Sequence, residues 1–394
     1  MKWASALSER PTLSEALREC AGKIEAEIEG PPDLAGLFLS QHSQADAEEA
    51  PRLLDRLLRP AHLIGCSAGG VIAAGREVEH KPAVALVAAK LPQTTLAPFR
   101  LDADGLPDLD ASPGAWAKAV GVPDRSAKPH FVLLADPFTF NPEDLVRGLD
   151  YAFPQAVKVG GMASGALRPG ENILYLDGSC CRSGAVGLGL SGNVVIDPIV
   201  AQGCRPVGKP MRISDCRHSE LRTLDGKPAL KAVEDLLESL SEEDQQLART
   251  SLFLGIVSDP FRAGTSKRDF LIRNLVGLDA ESGTLAVGAQ LRPGQTVQFH
   301  LRDKQASAED LRLMLTRYAA SKPTPPPAGA LLFSCLGRGK HLYGVPDHDS
   351  SEFHKRLGPV PIGGFFCSGE IGPVDGATHL HGYTSCFGIF RPAA

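Results

Sequence analysis

One plan recurs three times in this 394-residue chain and limits what it can fold into. An apolar, strand-like run leads through a polar loop to a helical pattern, then to a second apolar run and a glycine loop. The first copy starts at Leu34–Ser40. It continues through a helical face of Leu53, Leu54, Leu57 and Leu58 to His62–Gly65, and ends in G-C-S-A-G-G at Gly65–Gly70. The second starts at Phe131–Ala135. Its helix opens with Asn141 as N-cap and Pro142 at the first helical position, and it ends in G-G-M-A-S-G at Gly160–Gly165. The third spans Ala330–Asp375: a strand-like run closing on Gly337, Arg338 and Gly339, a short helical stretch, and the loop Gly363–Pro373. Phe38 and Gly65 are 27 positions apart, Leu133 and Gly160 also 27, and Leu332 and Gly363 are 31. One or two further strands follow each copy. The pattern predicts a threefold internal repeat of a β-α-β-plus-hairpin unit. The fold class is α/β (mixed α+β): mixed sheets with outer helices, layered αββα, in two pseudo-equivalent halves.

Composition fits this plan. The 41 glycines and 31 prolines favour many short elements joined by tight turns. A net charge of −5 leaves no basic surplus to neutralise phosphates, so nucleic acid is not expected as a partner. The small clusters Lys267-Arg268 and Lys355-Arg356 read as solvated faces. No apolar run approaches the roughly 18 residues of a membrane span, and Met1–Pro11 lacks a secretory apolar region. Nine cysteines without a C-x-x-C pattern suggest reduced thiols in a cytoplasmic protein.

Lys2–Ser8 reads as a first strand and Leu13–Ile28 as a helix. Val195–Pro210 is rich in Pro and Gly, and the domain boundary is expected there, giving domains 1–205 and 206–394. Ser307 with Asp310 resembles a capping box opening a helix through Tyr318. Asp136-Pro137-Phe138 and Asp259-Pro260-Phe261 read as strand terminators, with the aspartate capping nearby backbone.

The sequence resembles the FIST family, named for F-box and intracellular signal transduction. The matching text is H-L-I-G-C-S-A-G-G-V-I, then A-Q-G-C-R-P-V-G-K-P and L-D-G-K-P-A-L at the junction. It continues with L-F-S-C-L-G-R-G-K, P-I-G-G-F-F-C-S-G-E-I-G-P and the closing L-H-G-Y-T-S-C-F-G-I-F. The resemblance covers nearly the whole chain as an N-terminal and a C-terminal FIST half. It implies a cytoplasmic sensory module that binds a small ligand, an amino acid or related metabolite, and signals to a partner protein. A stand-alone FIST protein is expected, without cofactor or metal.

Several residues are candidates for the ligand site. Glycine loops let backbone N–H groups approach an anion closely, and three of them at equivalent positions can converge on one cleft. This marks Gly65, Cys66 and Ser67, Gly160 and Gly161, and Gly363, Gly364, Cys367, Ser368 and Gly369; tight turns alone explain the same glycines. Arg338, between Gly337 and Gly339, suits bidentate capture of a carboxylate, and Glu370 suits an amine; a structural Arg338–Glu370 pair explains them equally. Gly65-Cys66-Ser67-Ala68-Gly69 also matches the G-x-S-x-G nucleophile elbow, with His379 or His381 as a partner, so a serine or cysteine hydrolase using Ser67 or Cys367 is the alternative. Cys66, Cys335 and Cys367 are either reactive thiols in loops of exposed N–H groups or small buried hydrophobes. His379 and His381 share a strand face and are either the start of a metal site or hydrogen-bonded histidines. A protein-interaction adaptor is the third class.

Overall fold

The computed structural model describes residues 1–42, 44–258 and 270–393, so Asp259-Pro260-Phe261 and Lys267-Arg268 lie outside the described residues. The chain forms two compact units. The first comprises Met1–Ala201, Leu311–Leu380 and Thr384–Ala394, and the second Gln202–Asp310 with His381–Tyr383.

Three repeats build the first unit. Repeat one is β1 (Lys2–Ser8), α1 (Leu13–Glu27), β2 (Leu34–Ser40), α2 (Gln44–Leu58), β3 (His62–Ala68), the hairpin β4 (Gly70–Ala73) and β5 (Arg76–Glu79), and β6 (Ala83–Lys90). Repeat two is β7 (Thr94–Leu101), α3 (Pro113–Ala119), β8 (His130–Ala135), α4 (Pro142–Ala152), β9 (Lys158–Met162), the hairpin β10 (Leu174–Leu176) and β11 (Ser179–Cys181), and β12 (Ala185–Gly192). Repeat three opens with β13 (Val195–Gln202).

The second unit follows directly. It contains β14 (Cys204–Arg217), β15 (Glu220–Leu224), β16 (Lys227–Pro228), α5 (Ala229–Ser239), α6 (Glu242–Ser251), β17 (Leu252–Val257), β18 (Phe270–Asp279), β19 (Thr284–Val287) and β20 (Thr296–Arg302). These strands form one seven-stranded sheet in the order β14-β20-β17-β18-β19-β15-β16. Val195–Pro210, where the boundary is expected, is built as strands β13 and the start of β14. Repeat three then resumes with α7 (Lys304–Ser321), β21 (Gly329–Cys335), α8 (Gly339–Tyr343), α9 (His348–Leu357), β22 (Ile362–Cys367), the hairpin β23 (Glu370–Val374) and β24 (Ala377–His381), and β25 (Thr384–Arg391).

The pairing rules are the same in each repeat. The two strands flanking the crossover helix are parallel neighbours: β2 with β3, β8 with β9, β21 with β22. The last strand returns antiparallel onto the first of these: β6 on β2, β12 on β8, β25 on β21. The hairpin leaves its own sheet. That of repeat one pairs with β22 of repeat three, that of two with β3 of repeat one, and that of three with β9 of repeat two. Three six-stranded sheets therefore exchange hairpins in a closed ring, and no repeat completes its sheet alone.

Each sheet's inner face contributes to one shared core, in which Phe38 of β2 stacks on Phe365 of β22 with ring centroids 5.1 Å apart. Outer faces are covered by helices: α1 and α2 on the first sheet, α3 and α4 on the second, α7 and α9 on the third. Mixed sheets with outer helices are formed as expected, and three sheets share the interior where an αββα stack has two.

The repeated glycine has a steric cause. A Cβ on Gly65 would lie 1.9 Å from the carbonyl oxygen of Leu37, one on Gly160 1.9 Å from that of Leu133, and one on Gly364 1.8 Å from that of Leu332. Backbone atoms cannot move aside as a side chain can, so only glycine fits. Spacing placed the third equivalent at Gly363; the contact moves it to Gly364.

Other expectations shift locally. The first crossover helix starts at Gln44, ahead of Pro51, which lies inside it. Asn141 caps α4 as expected, accepting from the Glu143 N–H at 3.1 Å. At α7 the cap is Asp303, whose Oδ1 accepts from the N–H groups of Gln305 (2.8 Å) and Ala306 (3.0 Å), while Ser307 is buried. Asp136 ends β8 as expected, but its carboxylate accepts from the side chains of Thr139 and Asn172.

Candidate functional site

The three parallel strand pairs of the first unit end at one place. Ser164 links the first two glycine loops, its Oγ accepting from the Gly69 N–H at 2.9 Å, and donates to the carbonyl of Phe366 in the third repeat. The Met162 N–H donates to the Gly369 carbonyl at 2.8 Å, and the Ser368 N–H to the Met162 carbonyl at 3.1 Å. Gly161 packs so closely on Cys367 that a Cβ there would lie 2.4 Å from its Sγ. The loops converge, and their glycines are spent largely on close backbone packing. Ser368 is exposed, and Cys335, Gly337, Ser67 and Gly69 are half-buried.

Repeat three differs from the others in polarity. The strand pairings put Glu370 where repeats one and two have Val71 and Leu174, opposite Gly161, Phe365 and Cys66 respectively. Glu370 is fully buried. Its Oε2 accepts from the N–H (3.1 Å) and hydroxyl (2.8 Å) of Thr384, and its Oε1 has no nitrogen or oxygen partner among the described residues. Burial pushes the carboxyl up to about 8, outweighing the Thr384 hydrogen bonds, the Arg338 charge and a hydrogen bond from the Cys335 thiol. It is mostly neutral at pH 7.

Arg338 is not open to a ligand's carboxylate. It is fully buried, with Nε 2.9 Å and Nη2 3.1 Å from the two oxygens of Asp349 in α9. Asp349 also accepts from Ser334 at 3.1 Å, from Ser385, and lies 2.9 Å from His348 Nδ1. Burial alone raises an aspartate pKa; here the Arg338 charge and these hydrogen bonds prevail and hold Asp349 well below the usual carboxylate range. Arg338 thus pairs with Asp349 rather than Glu370. Glu77 of β5 completes the cluster. Its Oε1 accepts from the Ser350 N–H at 2.7 Å, and burial followed by the Asp349 charge raises its pKa. Neither Asp349 nor Glu77 stands out in the sequence, because hairpin exchange brings Glu77 onto α9 from repeat one.

The hydrolase geometry is not formed. Ser67 lies in β3, which runs into a hairpin strand rather than a helix, and its Oγ accepts from the Ile173 N–H at 2.9 Å. Cys66 and Cys367 are strand residues, and burial raises both thiol pKa values well above the ordinary value. His379 is half-buried and His381 buried on β24. Among the described residues no group of three or more His, Cys, Asp or Glu is placed to hold a metal.

A three-repeat α/β unit, with a polar cluster built on repeat three and completed by Glu77 of repeat one, defines the class. Residues 33–227 match the FIST N domain and residues 229–373 the FIST C domain, so the chain belongs to the FIST family. Its relatives include Rv0628c of Mycobacterium tuberculosis (strain ATCC 25618 / H37Rv), 36% identical over 392 residues, covering 99% of this chain and 100% of the relative. Mb0898c of Mycobacterium bovis is 36% identical over 383 residues, covering 96% of each. F-box/LRR-repeat protein At5g63520 of Arabidopsis thaliana is 30% identical over 166 residues, covering 40% of this chain and 30% of the relative. A solved structure titled for cyanuric acid hydrolase and structural concatenation covers 100% of both chains at 11% identity and a TM-score of 0.33, a likeness that carries no argument. FIST domains are generally sensory and signal-transduction domains. No helix among the described residues is long and apolar enough to cross a membrane.

Proposed function

We propose that this protein is a cytoplasmic sensor that binds a small ligand, an amino acid or related metabolite, where the glycine loops of the first unit meet, and reports it to a partner protein. The observation that carries this reading is Glu370. An acid replaces an apolar residue at a repeated core position, and its Oε1 is buried without a nitrogen or oxygen partner among the described residues, a costly arrangement unless it is used. Ser368, two residues before it, is exposed, and Cys335, whose thiol hydrogen-bonds the carboxyl, is half-buried; these form the side of approach. A ligand ammonium favours the ionised form, so that on binding Glu370 gives up its proton and Oε1 accepts the ligand's N–H. Arg338 and Asp349 hold the loop in position and do not meet the ligand.

The test is a thermal-shift screen of the full chain against the amino acids and related metabolites, because a ligand that binds only the folded state raises the melting temperature. A hit whose shift is lost in Glu370→Gln supports the reading. A screen without hits, or a hit unaffected by that substitution, removes it.

A further inference from the structure

The second unit contains a cavity of about 270 Å³ whose wall joins an apolar part, Met211, Leu224, Ala232, Leu236 and Phe299, to a polar part that includes Lys209, Lys227, Asp225, Asp235 and Ser239. Its size approaches that of small-molecule sites. Two copies of the same tripeptide, Gly208-Lys209-Pro210 and Gly226-Lys227-Pro228, form part of its boundary. The first interrupts the pairing of β14 with β20 between Val207 and Met211. Gly208 takes a φ of +64° there, and its carbonyl accepts from Gln298 Nε2 at 2.7 Å, so the break is held in place. The second makes the turn from β15 into β16, with Gly226 at a φ of +79°. Each places an exposed lysine at the cavity.

The charges are unequally committed. The Oδ1 of Asp225 accepts from the Arg212 N–H at 2.8 Å, and Asp235 pairs with Lys231 at 3.1 Å and Lys227 at 3.3 Å. The Lys227–Asp235 pair joins exposed side chains and is weak. Lys209 has no ion pair among the described residues. The apolar part of the wall thus adjoins one lysine without an ion pair among the described residues and one loosely held, with the Asp225 and Asp235 carboxylates tied to the Arg212 N–H and to Lys231.

We propose that this cavity binds a small organic anion, a carboxylate on an apolar chain or ring, with the apolar body against Met211, Leu236 and Phe299 and the carboxylate between Lys209 and Lys227. Burying the body supplies most of the affinity and the lysines select the charge.

The experiment titrates the full-length protein with sodium octanoate, octylamine and 1-octanol, by calorimetry and thermal shift, in the wild type and in Lys209→Gln/Lys227→Gln. Both lysines are exposed, so the variant folds with an unchanged melting temperature. Octanoate is expected to bind one per chain, octanol more weakly and octylamine not at all. In the variant, octanoate weakens by about tenfold while octanol is unchanged. Equal binding of all three, octanoate affinity indifferent to the lysines, or no binding of octanoate overturns the proposal. These substitutions leave Glu370 untouched, so this site and the glycine-loop site fail or stand independently.

Discussion

Glu370→Gln tests whether the buried acid of repeat three is neutral in the folded protein. Its carboxyl rises from an ordinary 4.5 to about 8 on folding, chiefly through burial. A group whose folded pKa is raised binds its proton more tightly when folded. Its contribution is fully present below pH 4.5 and is lost as pH rises through 8. At about 1.4 kcal/mol per pKa unit, the wild type should lose on the order of 5 kcal/mol across that window because of Glu370 alone. Glutamine has nearly the same shape, keeps an acceptor for Thr384 and cannot ionise. Urea denaturation of both proteins at pH 5, 6.5 and 8 gives the comparison. Glu77, raised in the same direction, adds equally to both slopes and cancels in the difference. The variant should match or fall slightly below the wild type at pH 5 and exceed it at pH 8. A stability difference that does not change with pH would refute the reasoning, because Glu370 would then titrate alike in both states.

Alanine at Gly65, Gly160 or Gly364 places a Cβ within 2 Å of a backbone oxygen. Each substitution should cost more than about 4 kcal/mol or prevent soluble expression, while Gly178→Ala, with nothing within 4 Å, should leave the melting temperature unchanged. Arg338→Met strands the buried Asp349 carboxylate and should cost about 3–5 kcal/mol in denaturation, whereas Arg338→Met/Asp349→Leu should recover much of that loss. Buried Cys20, Cys66, Cys367 and Cys386 should resist a thiol reagent in the folded protein while half-buried Cys216 reacts. Prompt labelling of Cys367, or of Ser67 by a fluorophosphonate, would contradict the strand placement of those residues.

The repeats were legible because buried parallel strands read as short apolar runs and their crossover helices carry a leucine face, as in Leu53, Leu54, Leu57 and Leu58. Elements with little apolar signal were not legible. Helix α3 is seven residues long and buries only Trp116 and Ala117, and α6 opens with Glu242, Glu243 and Asp244 and buries only Ala248 and Ser251. Strands β13 and β14 contain Pro198, Pro206 and Pro210, a composition that marks a boundary and hides the strands. Spacing cannot choose between adjacent Gly363 and Gly364; a backbone contact from the neighbouring strand does. The hairpin exchange leaves no local pattern at all, so the approach of Glu77 to Ser350 could not be foreseen. Arg338 and Glu370 were recognisable as unusual. Their partners, Asp349 and Thr384, were not, because an acid eleven residues away on a helix and a threonine opening a later strand are marked only by the fold.

The most direct measurement of the central claim is a calorimetric titration of the strongest thermal-shift hit among the amino acids and their relatives, run on the wild type and on Glu370→Gln at pH 7. The account predicts one ligand per chain in the wild type and no measurable binding in the variant, with the variant folded. Equal binding by both proteins would contradict it.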